Sequence, residues 1–178
     1  MRIISGKFRS RLIKPPKGLP VRPTTDFAKT GLFNILSSRF DFSKVRVADL
    51  YAGTGSLSYE FVSRGCEQLV SVDRSPDCIR FIRQTMLGFN APKGVFQSKS
   101  DVLFWLDIQQ GPFDILVADP PFAETPAEEL VHRVFSKSLL SPNGMLIIEH
   151  ASTNDLSAIP GFSEARRYGS VSFSFFRL

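Results

Sequence analysis

The sequence predicts an α/β fold: a seven-stranded, mostly parallel sheet flanked by helices, closed by a C-terminal antiparallel hairpin and preceded by a small N-terminal β-hairpin arm. Three observations carry this expectation. From Val45 onward, short apolar runs alternate with amphipathic stretches, the pattern of β/α units feeding a parallel sheet. The tail then changes register, with two extended runs meeting at Gly169-Ser170. The first 46 residues, finally, carry a charge opposite in sign to that of the rest.

The 178 residues include 22 Lys and Arg, 17 Asp and Glu and two cysteines, and 43% are apolar, enough for one domain with a full core. With 17 phenylalanines and 22% charged residues, neither global disorder nor a disulfide scaffold fits. The start, MRIISGKFRSR, has no apolar stretch that would act as a signal peptide, so a soluble cytoplasmic protein is expected. Cys66 and Cys78 lack CxxC spacing and read as reduced helix or turn residues.

The net charge of +5 is unevenly spread. Residues 1–46 hold eleven Lys and Arg against Asp26 and Asp41, a balance of +9, and the remaining eleven basic residues face fifteen acidic ones, a balance of −4. A basic arm on a mildly acidic body is the electrostatic footprint of a protein that docks on a polyanion with one region. A solvated surface segment that only keeps the chain soluble would have the same composition.

Within the arm, Arg2 to Ser5 and Phe8 to Lys14 are extended in character and meet at Gly6-Lys7. Pro15, Pro16, Pro20 and Pro23 forbid helix in the following loop. A helix is expected from Thr25 as N-cap, with Asp26 in its first turn and Ala28, Leu32, Ile35 and Leu36 on one buried face. The division is therefore 1–24, a basic hairpin and loop, and 25–178, the α/β domain. The strand candidates are Val45 to Leu50, Leu69 to Asp73, Gly94 to Gln97, Asp114 to Ala118 and Met145 to Glu149, then Ala165 to Tyr168 and Val171 to Arg177 as the hairpin. Helices between them open after Ser56, at the Ser75 cap with Pro76, and at Thr125-Pro126 with Glu128 completing a capping box.

Open α/β sheets bind ligands at the carboxyl ends of their strands, near the point where strand order reverses. The first strand ends in Asp49-Leu50-Tyr51-Ala52-Gly53-Thr54-Gly55-Ser56, a glycine-rich turn into a helix. It has two of the three glycines of a dinucleotide fingerprint, and alone could be a plain β/α turn. The second strand ends in Asp73, placed like the acid that accepts two ribose hydroxyls, or like a first-turn acid for the next helix. After the third comes Asp101, which could accept from an adenine amino group or cap a helix. The fourth runs into Asp119-Pro120-Pro121-Phe122. Two prolines hold a rigid turn, the Asp119 carboxylate and Pro120 carbonyl offer two acceptors to an amino group, and Phe122 offers a face for a flat base. D-P-P-x is often only a turn; beside a nucleoside-like site it is the sharpest signal in the chain. His132 and His150 lack the Cys or acid spacing of a zinc site, and no metal is expected.

The series ADLYAGTGSLS, SVDRS, SKSDV and VADPPF resembles the Rossmann-like class I methyltransferases that use S-adenosylmethionine to methylate amino groups. The opening MRIISGKFRSRLIKPPKGLPVRPTTDFAKTGLFNIL is similar to the bacterial 16S ribosomal RNA guanine-N(2)-methyltransferase family, and the match covers essentially the whole chain. The resemblance implies cofactor contacts from Asp49, Tyr51, Gly53, Gly55, Asp73 and Asp101, with their neighbours Arg74 and Val102, and catalysis at Asp119, Pro120, Pro121 and Phe122. It also implies RNA contacts from Arg2, Lys7, Arg9, Arg11, Lys14, Lys17, Arg22 and Thr24, and a monomer acting on 16S ribosomal RNA, free or in a small subunit. Family members continue the first turn with an alanine, leucine and glycine run; Leu57-Ser58-Tyr59 departs from it, which bears on helix packing. The rival readings are a DNA adenine amino-methyltransferase, which usually carries a separate target-recognition segment, and a methyltransferase of another RNA. A nicotinamide dehydrogenase would want the third glycine, and a non-enzymatic RNA-binding module leaves Asp119 to Phe122 unexplained.

Overall fold

The computed structural model describes residues 1–16, 18–19, 24–121 and 125–178. Helix α1 (Asp26–Arg39) leads through a single 3-10 turn at Phe42–Lys44 into β1 (Arg46–Leu50). There follow α2 (Ser56–Ser63), β2 (Gln68–Asp73), α3 (Pro76–Gly88), β3 (Val95–Lys99), α4 (Val102–Ile108) and β4 (Phe113–Ala118). The chain ends with α5 (Ala127–Ser136), β5 (Leu140–Ala151), β6 (Phe162–Tyr168) and β7 (Val171–Phe176). The seven strands form one sheet in the order β3-β2-β1-β4-β5-β7-β6. Five are parallel, and β7 inserts antiparallel between β5 and β6. This is the Rossmann-like, mostly parallel sheet with a C-terminal antiparallel hairpin that the sequence predicts. Strand order reverses between β1 and β4, so their carboxyl ends open the crevice where such sheets take ligands.

Side-chain alternation along the strands divides the core. Ala48, Leu50, Val70, Leu116, Ala118, Leu146 and Ile148 pack under α4 and α5. Val47, Leu69, Ile115, Val117, Met145, Ile147, Phe173 and Phe175 face α1 and α2. Both faces are covered, which is why the central strands read as near-continuous apolar runs.

Three local expectations are corrected. The arm is a looser hairpin than expected: its antiparallel bridge joins Arg2 and Leu12, and the turn spans residues 5–10 rather than Gly6-Lys7 alone. Strand β5 starts at Leu140, five residues early, because Pro142-Asn143-Gly144 is absorbed as a register shift between Phe113 and Ile115 of β4. Thr125 does not cap α5; Pro126 takes that position without a side-chain bond, and the Thr125 hydroxyl turns toward Tyr51.

The arm is docked against the body. Ile3, Phe8 and Ile13 are buried against Tyr59, Val62, Ile82, Met86 and Phe89, with the Phe8 and Phe89 rings stacked 4.4 Å apart. Glu60 of α2, fully buried, accepts from the Ile4 and Ser5 amides at 2.9 and 3.1 Å. Ser63 donates its hydroxyl to the Ser5 carbonyl and accepts from the Phe8 amide. Lys29, only 1% exposed, lies 3.8 Å from Glu60 and donates to the Arg2 carbonyl at 2.6 Å. It therefore belongs to the interior and not to the basic surface on which sequence counting placed it.

Candidate functional site

A cavity of about 400 Å³ opens at the carboxyl ends of β1, β2 and β4. Its lining includes the turn after β1, Asp73 and Arg74 after β2, Asp101 and Val102 at the start of α4, and Asp119, Pro120 and Pro121 after β4. Residues from four separate strand ends thus converge on one space.

The turn after β1 is shaped for close approach. Tyr51, Gly53 and Gly55 have φ of 58°, 53° and 81°, the left-handed region, and a Cβ on Gly55 would come within 2.8 Å of Ile82 and 2.9 Å of the Tyr59 ring. Large Tyr59 thus occupies the space under the turn. That is the packing consequence of the Leu57-Ser58-Tyr59 departure. Asp73 fastens the turn: its two oxygens accept from the Gly53 and Ser75 amides, each at 2.8 Å. The helix-start role read for Asp73 is therefore filled, and the same residue lines the cavity. Asp101 similarly caps α4, accepting from the Phe104 amide at 3.0 Å, while it also lines the cavity.

Asp49, at the end of β1, is buried and accepts from the Ser58 amide at 3.0 Å and the Ser58 hydroxyl at 2.5 Å. Burial, reinforced by the nearby Asp73 and Asp119 charges, pushes its pKa up to about 7. Asp119 is open to solvent at the cavity mouth, yet the surrounding protein removes much of its carboxyl's hydration and raises its pKa to about 6. Tyr51 donates to Thr125 at 3.2 Å across the cavity wall.

Two contributors escaped the sequence reading. Glu149, the last acid of β5, is buried beside Asp119: register pairs Ala118 with Ile148, so the two acids are the next residues on neighbouring strands. Its pKa rises to about 7 through burial and the adjacent Asp119 charge. Thr24, which lines the cavity, bonds it. The strand-end rule that found Asp73 and Asp119 would have found Glu149 had it been applied to the fifth strand. Ser56 lines the cavity at the start of α2; its hydroxyl is buried without a hydrogen-bond partner among the described residues.

Of the residues expected to meet RNA, Arg2, Lys7, Arg9, Arg11 and Lys14 are exposed on the arm, and Thr24 lines the cavity. Arg2 pairs with Asp26 at 3.1 Å, and Arg11 lies 5.1 Å from the Phe8 ring centre. Lys17, Arg22 and Phe122 lie outside the described residues.

A family model described as "Conserved hypothetical protein 95" matches residues 1–177. Among curated proteins, the chain is 31% identical to "Putative rRNA methyltransferase YlbH" of Bacillus subtilis, over 84% of this chain and 82% of that one. It is 29% identical to Ribosomal RNA small subunit methyltransferase D of Escherichia coli K12, over 90% and 79%. The solved structure of a hypothetical protein from Thermus thermophilus has the same fold, with a TM-score of 0.85 at 24% identity, covering 100% of this chain and 99% of that one.

Proposed function

This chain belongs to the Conserved hypothetical protein 95 family, and from that premise we propose that it transfers a methyl group from S-adenosylmethionine to the 2-amino group of a guanine in 16S ribosomal RNA. The observation that carries the proposal is the Asp119-Pro120 turn at the mouth of a cavity also lined by Gly53, Asp73 and Asp101. An amine-holding turn and a nucleoside-type pocket then meet at the switch point of the sheet. The relatives named as rRNA methyltransferases support RNA as the substrate class.

The cavity fits the cofactor on two counts. Gly53 and Gly55 leave backbone that a ligand can approach, and the unpartnered Ser56 hydroxyl at the start of α2 suits a carboxylate. Asp73 would take the ribose hydroxyls and Asp101 the adenine amino group, with Tyr51, Arg74 and Val102 completing the walls. When bound, the cofactor supplies an electrophilic methyl group on a sulfonium, which leaves as a neutral thioether.

The chain's own residues present the nucleophile. An aromatic amine is weakly nucleophilic, so orientation and hydrogen bonds that strengthen as positive charge grows on nitrogen are what the protein can contribute. Asp119 and the Pro120 carbonyl accept the two amine hydrogens and direct the nitrogen lone pair into the cavity. With the cofactor bound, the N–C bond would form as its S–C bond broke, and the surplus amine proton would pass to water or to Asp119. Phe122 would stack the base, and the arm cations Arg2, Lys7, Arg9, Arg11, Lys14, Lys17 and Arg22 would hold phosphates.

Incubation with methyl-labelled S-adenosylmethionine and small-subunit RNA, free and in assembled particles, followed by nucleoside analysis, tests the proposal. N2-methylguanosine is expected. Label on adenine, on protein or nowhere overturns it.

A further inference from the structure

The first turn of α1, three residues after the cavity-lining Thr24, carries an aromatic step that neither the fold nor the proposed chemistry accounts for. Phe27, in the first turn of α1, is 68% exposed, the most exposed phenylalanine among the described residues. Its ring meets the half-buried Tyr168 ring edge-on, 5.6 Å between centres. Tyr168 is seated by Gly31, one helical turn after Phe27 on the same face of α1. A Cβ on Gly31 would fall 2.0 Å from the Tyr168 ring. The glycine is thus a slot that fixes the tyrosine against the helix and leaves the phenylalanine standing out.

Position and charge both point toward the substrate side. Three residues before Phe27, Thr24 bonds Glu149 at the cavity. Across the sheet, Tyr168 pairs with Val171, which pairs with Ala151, two residues beyond Glu149. At about 4.8 Å per strand, the tyrosine backbone lies about 10 Å to the side of β5. Arg166, two residues before Tyr168 on the same face of β6, pairs with Glu164 at 2.6 Å, and that carboxylate is also taken by Arg39 at the far end of α1, leaving a net positive charge along this side. Arg167, at the hairpin turn, donates to the Gly169 carbonyl.

We propose that Phe27 and Tyr168, with Arg166 beside them, form a stacking platform for an unpaired RNA base flanking the methylated nucleotide. This rests on the RNA reading above, and adds to it an aromatic contact surface at the first turn of α1, next to the Asp26 carboxylate that Arg2 of the arm pairs with. An exposed aromatic face beside a guanidinium group suits single-stranded RNA, whose bases stack on such rings irrespective of sequence while cations hold the phosphates.

The experiment compares Phe27→Ala and Phe27→Trp with wild type, using Leu87→Ala, an equally exposed apolar residue on α3, as the control. Equilibrium binding is measured to a short single-stranded RNA bearing the substrate guanine, to the same RNA in duplex form, and to protein-bearing small subunits. Cofactor binding and thermal unfolding are recorded alongside. Phe27→Ala is expected to weaken single-stranded binding on the order of tenfold, raise KM more than it lowers kcat, and leave cofactor affinity and melting temperature unchanged. F27W should restore affinity, and its fluorescence should be quenched by the single strand. Wild-type binding that survives Phe27→Ala, or falls equally with Leu87→Ala, overturns the platform alone. A loss confined to protein-bearing subunits assigns the surface to a protein contact and also overturns it. Wild-type protein that binds none of these RNAs overturns the platform and the RNA reading together.

Discussion

The Thr24 hydroxyl donates to Glu149 Oε2 at 2.7 Å, joining the segment ahead of α1 to the carboxyl end of β5, 125 residues later. The bond gives a buried acid its partner and holds a cavity-lining hydroxyl in one orientation. Replacing Thr24 by Val leaves the carboxylate unsatisfied in place. Such a loss costs about 1–3 kcal/mol. Chemical denaturation at pH 8 should register it, and the deficit should shrink at pH 5, where Glu149 is protonated and needs no anionic solvation.

The same acids set an unusual pH profile. Asp49 and Glu149 titrate near 7 and Asp119 near 6 in the fold, against about 4 when unfolded. Between pH 4 and 7 the native state therefore binds more protons than the unfolded chain, and these groups lower stability as pH rises. The unliganded protein should melt at a higher temperature at pH 5.5 than at pH 8. A melting temperature that falls on acidification over this window would show that other groups dominate. Methyl transfer should run the other way, losing rate as pH falls through about 6, because a protonated Asp119 accepts poorly from an amine.

Much of this was legible in the sequence, for a physical reason. Strand ends in a parallel sheet are marked by a change from apolar runs to acids, glycines and prolines, so Asp49, Asp73, Asp101 and Asp119 could be located from pattern alone. Lys29 and Glu60 could not. A charged residue on a helix ordinarily faces water, whereas α2 is buried at every position and the arm backbone bonds both side chains where it packs over them. Phe27 lies off the face that Ala28, Leu32 and Leu36 bury, but its contact with Tyr168 joins residues 141 apart and is set only by the packing of the C-terminal hairpin on α1. The start of β5 was missed because Pro142 and Gly144 are turn residues by propensity, overridden here by pairing to β4.

Asp119→Asn separates stability from catalysis. Removing the charge relieves repulsion on Asp49 and Glu149, both of which it pushes upward in pKa. The variant should melt at or above the wild-type temperature. Its amide presents one acceptor in place of a carboxylate and cannot stabilise the growing positive charge as well, so kcat should fall at least a hundredfold while RNA affinity stays largely intact. Wild-type-like turnover would remove Asp119 from the catalytic role.

Asp73→Ala probes the cofactor side. It deprives the Gly53 and Ser75 amides of their acceptor, loosening the turn after β1 and the start of α3 together. Isothermal titration should show S-adenosylmethionine binding weakened by tenfold or more, with melting lowered by the lost helix-start bonds. An unchanged dissociation constant accompanied by lower melting would leave only the structural role.

Lys29→Met tests how the basic arm is held. The lysine is buried, its pKa is pulled down by desolvation, and Glu60 and Asp26 oppose that shift. Removing it leaves Glu60 buried with the Arg64 guanidinium at 2.9 Å and the Ile4 and Ser5 amides as its remaining partners. Breaking one side of a buried pair typically costs about 3–5 kcal/mol. Part of that loss should appear as release of the arm, seen as faster amide exchange across residues 1–14 relative to β1 and β4. If the arm's cations bind phosphate only when docked, the variant's RNA affinity should also become less steep in salt, because fewer counterions are released on binding. Arm amides protected as in wild type would instead place the whole cost in the α1–α2 interface.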